Sequence, residues 1–552
     1  MIAETLLPRP LYCRENPDVQ YQCRGIGNPR DIADVLTGTE IQDHTGTFDS
    51  PNFVSQGYVI RTKGDMVLVY SSSEHGKFYG NNTARRIMRN RGNQVPDLLI
   101  VDRPAFSLRG VMEKAYGVPW TWKARTDIVG FCAQYGFNQF VLAPCDISQK
   151  VNWRDPFSDR YLKHLQDFVN HCHNQRVRLA FEFLPIGIDL GLDKDYQTLL
   201  KRSGDLLEIG VDDIIIAFDD VDDYSGKKER KQKAALRQIN FLNRFFSESG
   251  LNPYSLAFNP VQYHGIKDSP YLQAIRENLI SEIVVGWTGP KIRSETVTVQ
   301  DADAFAKLIR RYPLLGHNFP VVDEMDKKRR VTVGPLIGLD KDLPSHLRGI
   351  VFNFMEIPYA SLISGLTCAD YAWNPTGYDP SRSIENSCAI LGPNLMRLVE
   401  INPESYVNPD SAHPIASALK SKRLNYMSDS ERSELGKIFK TMVELDELVS
   451  DGTLEEVYRE IRPWLNQANI IGGFGTLLMN GGSKGLNWRS KGYAALKMSS
   501  GQRLGGLVFE DWVLREFGFP ASLFYHIPSL RMVGDFFERV ARKRHNRQNI
   551  SQ

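Results

Sequence analysis

The chain has 552 residues, too many for one hydrophobic core, so roughly two to four domains are expected. Its 42% hydrophobic and 24% charged residues are ordinary for a globular protein. A formal net charge of +2 provides no global field to draw in nucleic acid or a membrane surface. No run of about 18 apolar residues exists, which excludes a simple hydrophobic membrane-spanning helix. The N-terminal Met1-Ile2-Ala3-Glu4-Thr5 lacks a basic stretch followed by a long apolar one, so no secretory signal is expected there. The cysteines (Cys13, Cys23, Cys132, Cys145, Cys172, Cys368 and Cys388) are odd in number and form no CxxC spacing. Neither a disulfide framework nor a structural zinc is expected, and a reducing cytoplasm fits.

Residues 1–104 read as a small α/β domain. Gly57–Thr62 and Met66–Ser71 are β-rich runs split by Lys63-Gly64-Asp65, a hairpin signal. A turn then enters a helix across Gly76–Met88. Its Arg85 and Arg86, with Arg89 and Arg91, read as a solvated face rather than an anion site. Arg103-Pro104 closes the unit.

From 105 to 385 short apolar runs alternate with amphipathic stretches. The runs are Leu108–Met112, Gln139–Ala143, Leu179–Leu184, Ile214–Phe218, Ser255–Phe258, Ile283–Trp287, Leu314–Phe319 and Ile350–Phe354. Between them lie Tyr161–His171, Tyr196–Leu207, Ala234–Phe246 and Ala302–Tyr312, among others. Strand and helix alternating in this way predict a (β/α)8 TIM barrel. An open doubly wound sheet also alternates, but no GxGxxG and no GxxxxGK[ST] accompanies the strands.

Residues 386–552 turn helical. Asp429–Val449 and Thr453–Ala468, parted by Asp451-Gly452, read as a helical hairpin. Gly472-Gly473-Phe474-Gly475 signals a loop or tight packing. The basic tail Ala541–Arg547 reads as a solvated end.

In such a barrel the chemistry sits where strands end. The fourth run ends abruptly in Asp219-Asp220. Two neighbouring carboxylates at a partly desolvated rim ionise unequally, which makes an acid/base pair. An acidic surface turn is the plainer reading of the same residues. Other strand ends bring Tyr116, Asn259, Tyr263, Thr288, Asn318, Asp323 and Asn353. Planar amides and carboxylates meet hydroxyls, and aromatic faces meet C–H surfaces, which suits a sugar. His264 and His317 stand alone, without metal-ligand spacing.

Several ordered motifs together resemble glycoside hydrolase family 84, the retaining β-N-acetylglucosaminidases that include O-GlcNAcase. Arg109–Trp120 resembles the family's RGVVEGFYGxPW, and Trp153–Pro156 its WREPY. Phe218–Val221 resembles its WDDI. Trp287–Pro290, Gly334–Asp340 and Ala369–Asn374 match closely. The resemblance implies substrate-assisted catalysis, in which the sugar's 2-acetamido oxygen attacks and an oxazoline forms. It implies that Asp219 polarises the acetamido N–H and that Asp220 is the general acid and then base. Tyr263 would support the acetamido oxygen. Asn318, Asp323 and Asn353 would bind sugar hydroxyls. Thr288, Ile292 and Tyr116 would line the pocket. The implied partner is an amino-sugar glycoside, on protein, glycan or small molecule, with no cofactor, nucleic acid or membrane. Oligomeric state is left open.

Four positions depart from the family. Lys114 replaces a glycine, Ala115 replaces the aromatic that follows it, Cys145 replaces the lysine of a second-strand APK, and Gly316 replaces a tryptophan. Lys114 either brings its amine into the space that the family lysine leaves, or projects to solvent. Cys145 has no visible histidine partner and reads as packing. The departures point to altered substrate choice, with a modified amino sugar or a purely sugar-binding relative as the alternative.

Overall fold

A computed structural model describes residues 2–114, 118–144, 153–219, 228–322, 330–402, 415, 419, 421–481 and 508–517. Its first sheet has the order β1-β5-β3-β4-β2, from Tyr12–Gln22 (β1), Gly25–Gly27 (β2), Tyr58–Lys63 (β3), Met66–Tyr70 (β4) and Gln94–Asp102 (β5). The expected hairpin is β3/β4: Lys63 faces Met66, and Gly64 takes φ +61°, where a side chain would be strained. The helix Glu74–Asn90 starts at Ser73, whose hydroxyl accepts from Gly76 N at 3.0 Å. Arg85, Arg89 and Arg91 are exposed on it, as a solvated face requires. Arg86 is different. It lies over the Tyr135 ring and donates to Gln134 O, so it ties this helix to the next domain.

The following eight strands close into a parallel barrel: Arg109–Glu113 (β6), Gln139–Leu142 (β7), Arg178–Phe183 (β8), Asp213–Ala217 (β9), Leu256–Asn259 (β10), Val284–Trp287 (β11), Leu314–His317 (β12) and Gly349–Asn353 (β13). Each predicted run is one of them, within two residues at either end. Helices separate most of the strands, as in Asp159–Asn174, Asp193–Glu208, Lys228–Glu248 and Val299–Ile309. The architecture is a (β/α)8 barrel. Alternate side chains face the lumen. Val141, Ala180, Ile215 and Val351 pack there with Leu108, Met112, Ala257 and Leu314.

Two family-like motifs serve the joint between sheet and barrel. Asp370 accepts from Arg9 N at 2.6 Å and pairs with Arg382 at 2.7 Å. The Trp373 indole donates to Asp102, and the Asn374 amide reaches Arg9 O and Pro10 O. Burial pushes the Asp102 and Asp370 carboxyls up to about 6, against these hydrogen bonds. Arg109, 1% exposed, donates to Gly136 O at 2.6 Å and Gln56 Oε1 at 2.8 Å, and lies over the Trp373 ring. These residues hold the sheet and the barrel together through buried, paired polar groups.

By packing, the chain divides into Met1–Asp323 with Pro335–Ser387, and Glu324–Gly334 with Cys388–Gln552. In the second unit Asp429–Ser450 pairs with Glu455–Met479. Ser428 and Glu431 form a capping box at the start of the first. Of the two readings of the glycines at 472–475, tight packing is the one the structure bears out. They lie inside the second helix, where a Cβ at Gly472 would stand 2.6 Å from Phe439 O and one at Gly475 2.4 Å from the Phe439 ring, so these two absent side chains let the helices close. Among the described residues no helix is long and apolar enough to cross a membrane.

Candidate active site

The lumen-facing parity, carried upward, decides what reaches the barrel mouth. It places Lys114 just past β6, Glu182 on β8, Asp219 just past β9 and Asn259 at the end of β10. Lys114 Nζ lies 2.6 Å from Glu182 Oε1 and 3.1 Å from Asp219 Oδ2. Lys114 is 8% exposed, so its amine turns inward and not to solvent. Asn259 Nδ2 donates to Glu182 Oε2 at 3.1 Å. Burial raises the Glu182 carboxyl above the usual carboxylate range. Asp219 pushes the same way, while Lys114 and the Asn259 amide oppose.

A second group faces it. The Asn318 amide donates to Ile292 O at 2.8 Å, and the Asn353 amide donates to Asn318 Oδ1 at 3.2 Å. A carbonyl can only accept, so this relay fixes both amides and leaves Asn353 Oδ1 as its free end. Asn353 Oδ1 and Asp219 Oδ1 are buried and have no hydrogen-bond partner among the described residues. Two orphaned acceptors in a mouth call for a ligand rich in N–H or O–H donors.

The third group is a loop pair. Thr288 N donates to Tyr263 O at 2.8 Å, and the Trp287 indole donates to Gly265 O at 3.1 Å. Trp287 itself is buried, stacked on Phe305 outside the lumen. Gly289 takes φ +101°, and a Cβ there would meet Ser294 Oγ at 2.3 Å. Tyr263 is half-buried beside His264. Ile292 contributes its carbonyl to the relay, while its side chain is 46% exposed. A Cβ at Gly316 would meet nothing within 4 Å, so this lumen wall is open.

Tyr116, Cys145, Asp220 and Asp323 lie outside the described residues, as does the tail Ala541–Arg547. Among the described residues no cluster of histidine, cysteine and carboxylate could hold a metal. His317 is fully buried on the outward side of β12, near Phe319 and Phe352, and burial holds it down to about 4. Two further motif residues are structural. Glu113 pairs with buried Arg125 at 2.7 Å, and Arg154 pairs with Asp195 at 2.6 Å while lying over Trp153. Glu182 was not picked out from the sequence. Its signal is parity: it is a lone acid two residues from Ala180 in a strand that is apolar from Leu179 to Phe183 apart from it.

A parallel (β/α)8 barrel whose strand ends gather carboxylates and oriented amides is the layout of a sugar-processing enzyme. The model of the beta-N-acetylglucosaminidase family matches residues 109–399, more than half of the chain, and the chain belongs to this family of glycoside hydrolases. It is similar to Protein O-GlcNAcase of Rattus norvegicus and of Mus musculus, at 27% identity over 257 residues in each case. That match covers 45% of this chain and only 28% of those relatives. Among solved structures, CpGH84B superposes with a TM-score of 0.77 at 20% identity, covering 93% of this chain and 99% of that one. An O-GlcNAc hydrolase of Thermobaculum terrenum, in a mutant form, gives 0.67 at 23% identity, covering 75% and 95%. At these identities the superpositions speak for the fold.

Proposed function

We propose that this chain is a retaining exo-β-N-acetylglucosaminidase that uses the substrate's 2-acetamido group as its nucleophile. The observation that supports it is Asp219. One carboxylate oxygen is held by Lys114, and the other is buried, unpartnered and at the end of β9. In this reading Asp219 Oδ1 accepts the acetamido N–H and makes the acetamido oxygen more nucleophilic. That oxygen bonds to C1 as the C1–O bond to the aglycone breaks, and Asp220 gives its proton to the departing oxygen. Water then adds to C1 of the oxazoline, Asp220 takes the water's proton, and the sugar leaves with its configuration retained. Asn318, Asn353 and Asp323 bind the ring hydroxyls. Tyr263 supports the acetamido oxygen, and Tyr116, Thr288 and Ile292 line the pocket. The substrate class is a terminal β-linked N-acetylglucosaminide. We place the reaction in the cytoplasm, on the odd and unpatterned cysteines.

The test is hydrolysis of a chromogenic β-N-acetylglucosaminide by the native chain and by Asp220→Asn, with the plain β-glucoside as control. Activity on the first glycoside only, lost in the variant, supports the reading. Equal cleavage of both glycosides contradicts it. A second reading, a modified amino sugar as substrate, is favoured by the open wall at Gly316 and by Lys114. Absence of activity on the plain N-acetylglucosaminide, with hydrolysis of a bulkier N-acyl analogue, selects that reading.

A further inference from the structure

Behind Asp219 lies a carboxylate that the proposed chemistry does not use. The Glu182 side chain is 1% exposed, and such burial is costly unless the charge is paired. It is paired on both oxygens, to Lys114 Nζ and to the Asn259 amide. The arrangement draws on four strands. β7 separates β6 from β8 in the barrel, so Lys114 reaches across the lumen to Glu182 rather than along a neighbouring strand. Gly286 belongs to the same assembly. A Cβ there would stand 2.1 Å from Asn259 Oδ1, so the amide has its place only because residue 286 has no side chain.

We propose that Glu182 is a positioning residue: it anchors the Lys114 ammonium so that the ammonium grips Asp219 Oδ2 and leaves Oδ1 directed at the substrate's amide. The proposal rests on the reading of Asp219 given above. A carboxylate on a short side chain turns easily about its last bond and would present either oxygen. An ammonium held from behind removes that freedom before the substrate arrives. Lysine alone would not do this, because its long stem has many rotamers. The ammonium has three donors and no acceptor, so it can hold both carboxylates at once. Among the described residues, the charged groups facing Glu182 are Lys114 from β6 and Asp219 from β9, with the neutral Asn259 from β10.

Glu182→Gln keeps the shape and removes the charge. On the chromogenic N-acetylglucosaminide, kcat is expected to fall by up to about 10²-fold with little change in KM. The pH profile of kcat/KM is expected to move to lower pH by about one unit, because a negative charge beside the acid pair is gone. Glu182→Asp, which keeps the charge, is expected to return the profile toward the native one. A Glu182→Gln enzyme with native kcat and an unmoved profile overturns the proposal. So does a fall in kcat with the profile unmoved, since that is what lost packing alone produces. Failure of the underlying reading looks different: the native chain then cleaves no N-acetylglucosaminide. In that case the urea midpoints of Lys114→Met, Glu182→Gln and the double variant decide. A double variant that loses less than the two single losses together supports the anchor, and strict additivity overturns it.

Discussion

The barrel carries a carboxylate, a cation and an amide at each end, and the two carboxylates are hydrogen-bonded differently. At the N-terminal end both oxygens of Asp213 are engaged. Arg178 contacts them at 2.6 and 3.1 Å, the Gln139 amide donates at 3.0 Å, and Ser255 accepts from Arg178 at 3.3 Å. At the C-terminal end Lys114 takes one oxygen of Asp219, and the other has no partner among the described residues. An amide oxygen is left over at each end, Gln139 Oε1 and Asn353 Oδ1. Composition is nearly the same at both ends. The difference is in the carboxylates: a saturated one is finished as structure, and an unsaturated buried one still has an oxygen to offer a ligand.

Mutation of matched residues is the strongest way to break this comparison. Asp219→Asn is expected to lower kcat/KM for a β-N-acetylglucosaminide by roughly 10²–10⁴-fold with a melting temperature near the native one. Asp213→Asn is expected to do the reverse: native kcat and a lower melting temperature. Kinetics and calorimetry on the two variants check both halves. If Asp213→Asn lost activity without losing stability, the contrast between the ends would be wrong.

His317 sharpens the point from outside the lumen. Burial lowers its imidazole from 6.5 to about 4, so the folded state resists a proton that the unfolded state takes up. Its stabilising share is present above 6.5 and is lost as pH falls toward 4. His317→Leu removes that loss. Between pH 7.5 and 4 the native chain is expected to lose roughly 3 kcal/mol relative to the variant, read by denaturant titration at each pH. Arg178→Ala comes next. It leaves the buried Asp213 short of a partner and is expected to cost roughly 1–3 kcal/mol by urea unfolding, with kcat unchanged. Gly316→Ala is the smallest. Its Cβ enters open space, so stability is expected to stay within about 0.5 kcal/mol, with a KM change of a few fold as its readout.

Much of the fold was legible because the barrel strands are short apolar runs between amphipathic stretches, and closure buries them on both faces. The strand β1 was not. Tyr12–Gln22 is largely exposed, carries Asn16 and Pro17, and shifts register between Asn16 and Gln20, so it has no apolar period to read. The strand β5 holds Leu98–Val101 but carries Pro96 as its third residue, which blurs its start. The glycines at 472–475 read equally as a loop or as tight packing in sequence, because what decides is the Phe439 helix packed across Gly472 and Gly475. At the site, Asp219 and the two asparagines were legible as polar residues at strand ends. The Lys114–Glu182 pair was not, because β6 and β8 meet only across a closed lumen, and closure belongs to the tertiary structure.

The most direct measurement is the rate of hydrolysis along a series of N-acyl substrates with zero to three fluorines on the acetamido methyl group. Each fluorine weakens the amide oxygen as a nucleophile while the leaving group stays the same. If that oxygen attacks C1, log kcat/KM falls steeply and in order along the series, and the Asp219→Asn enzyme shows a low rate throughout. A flat series would place the nucleophile elsewhere and contradict the role given to Asp219.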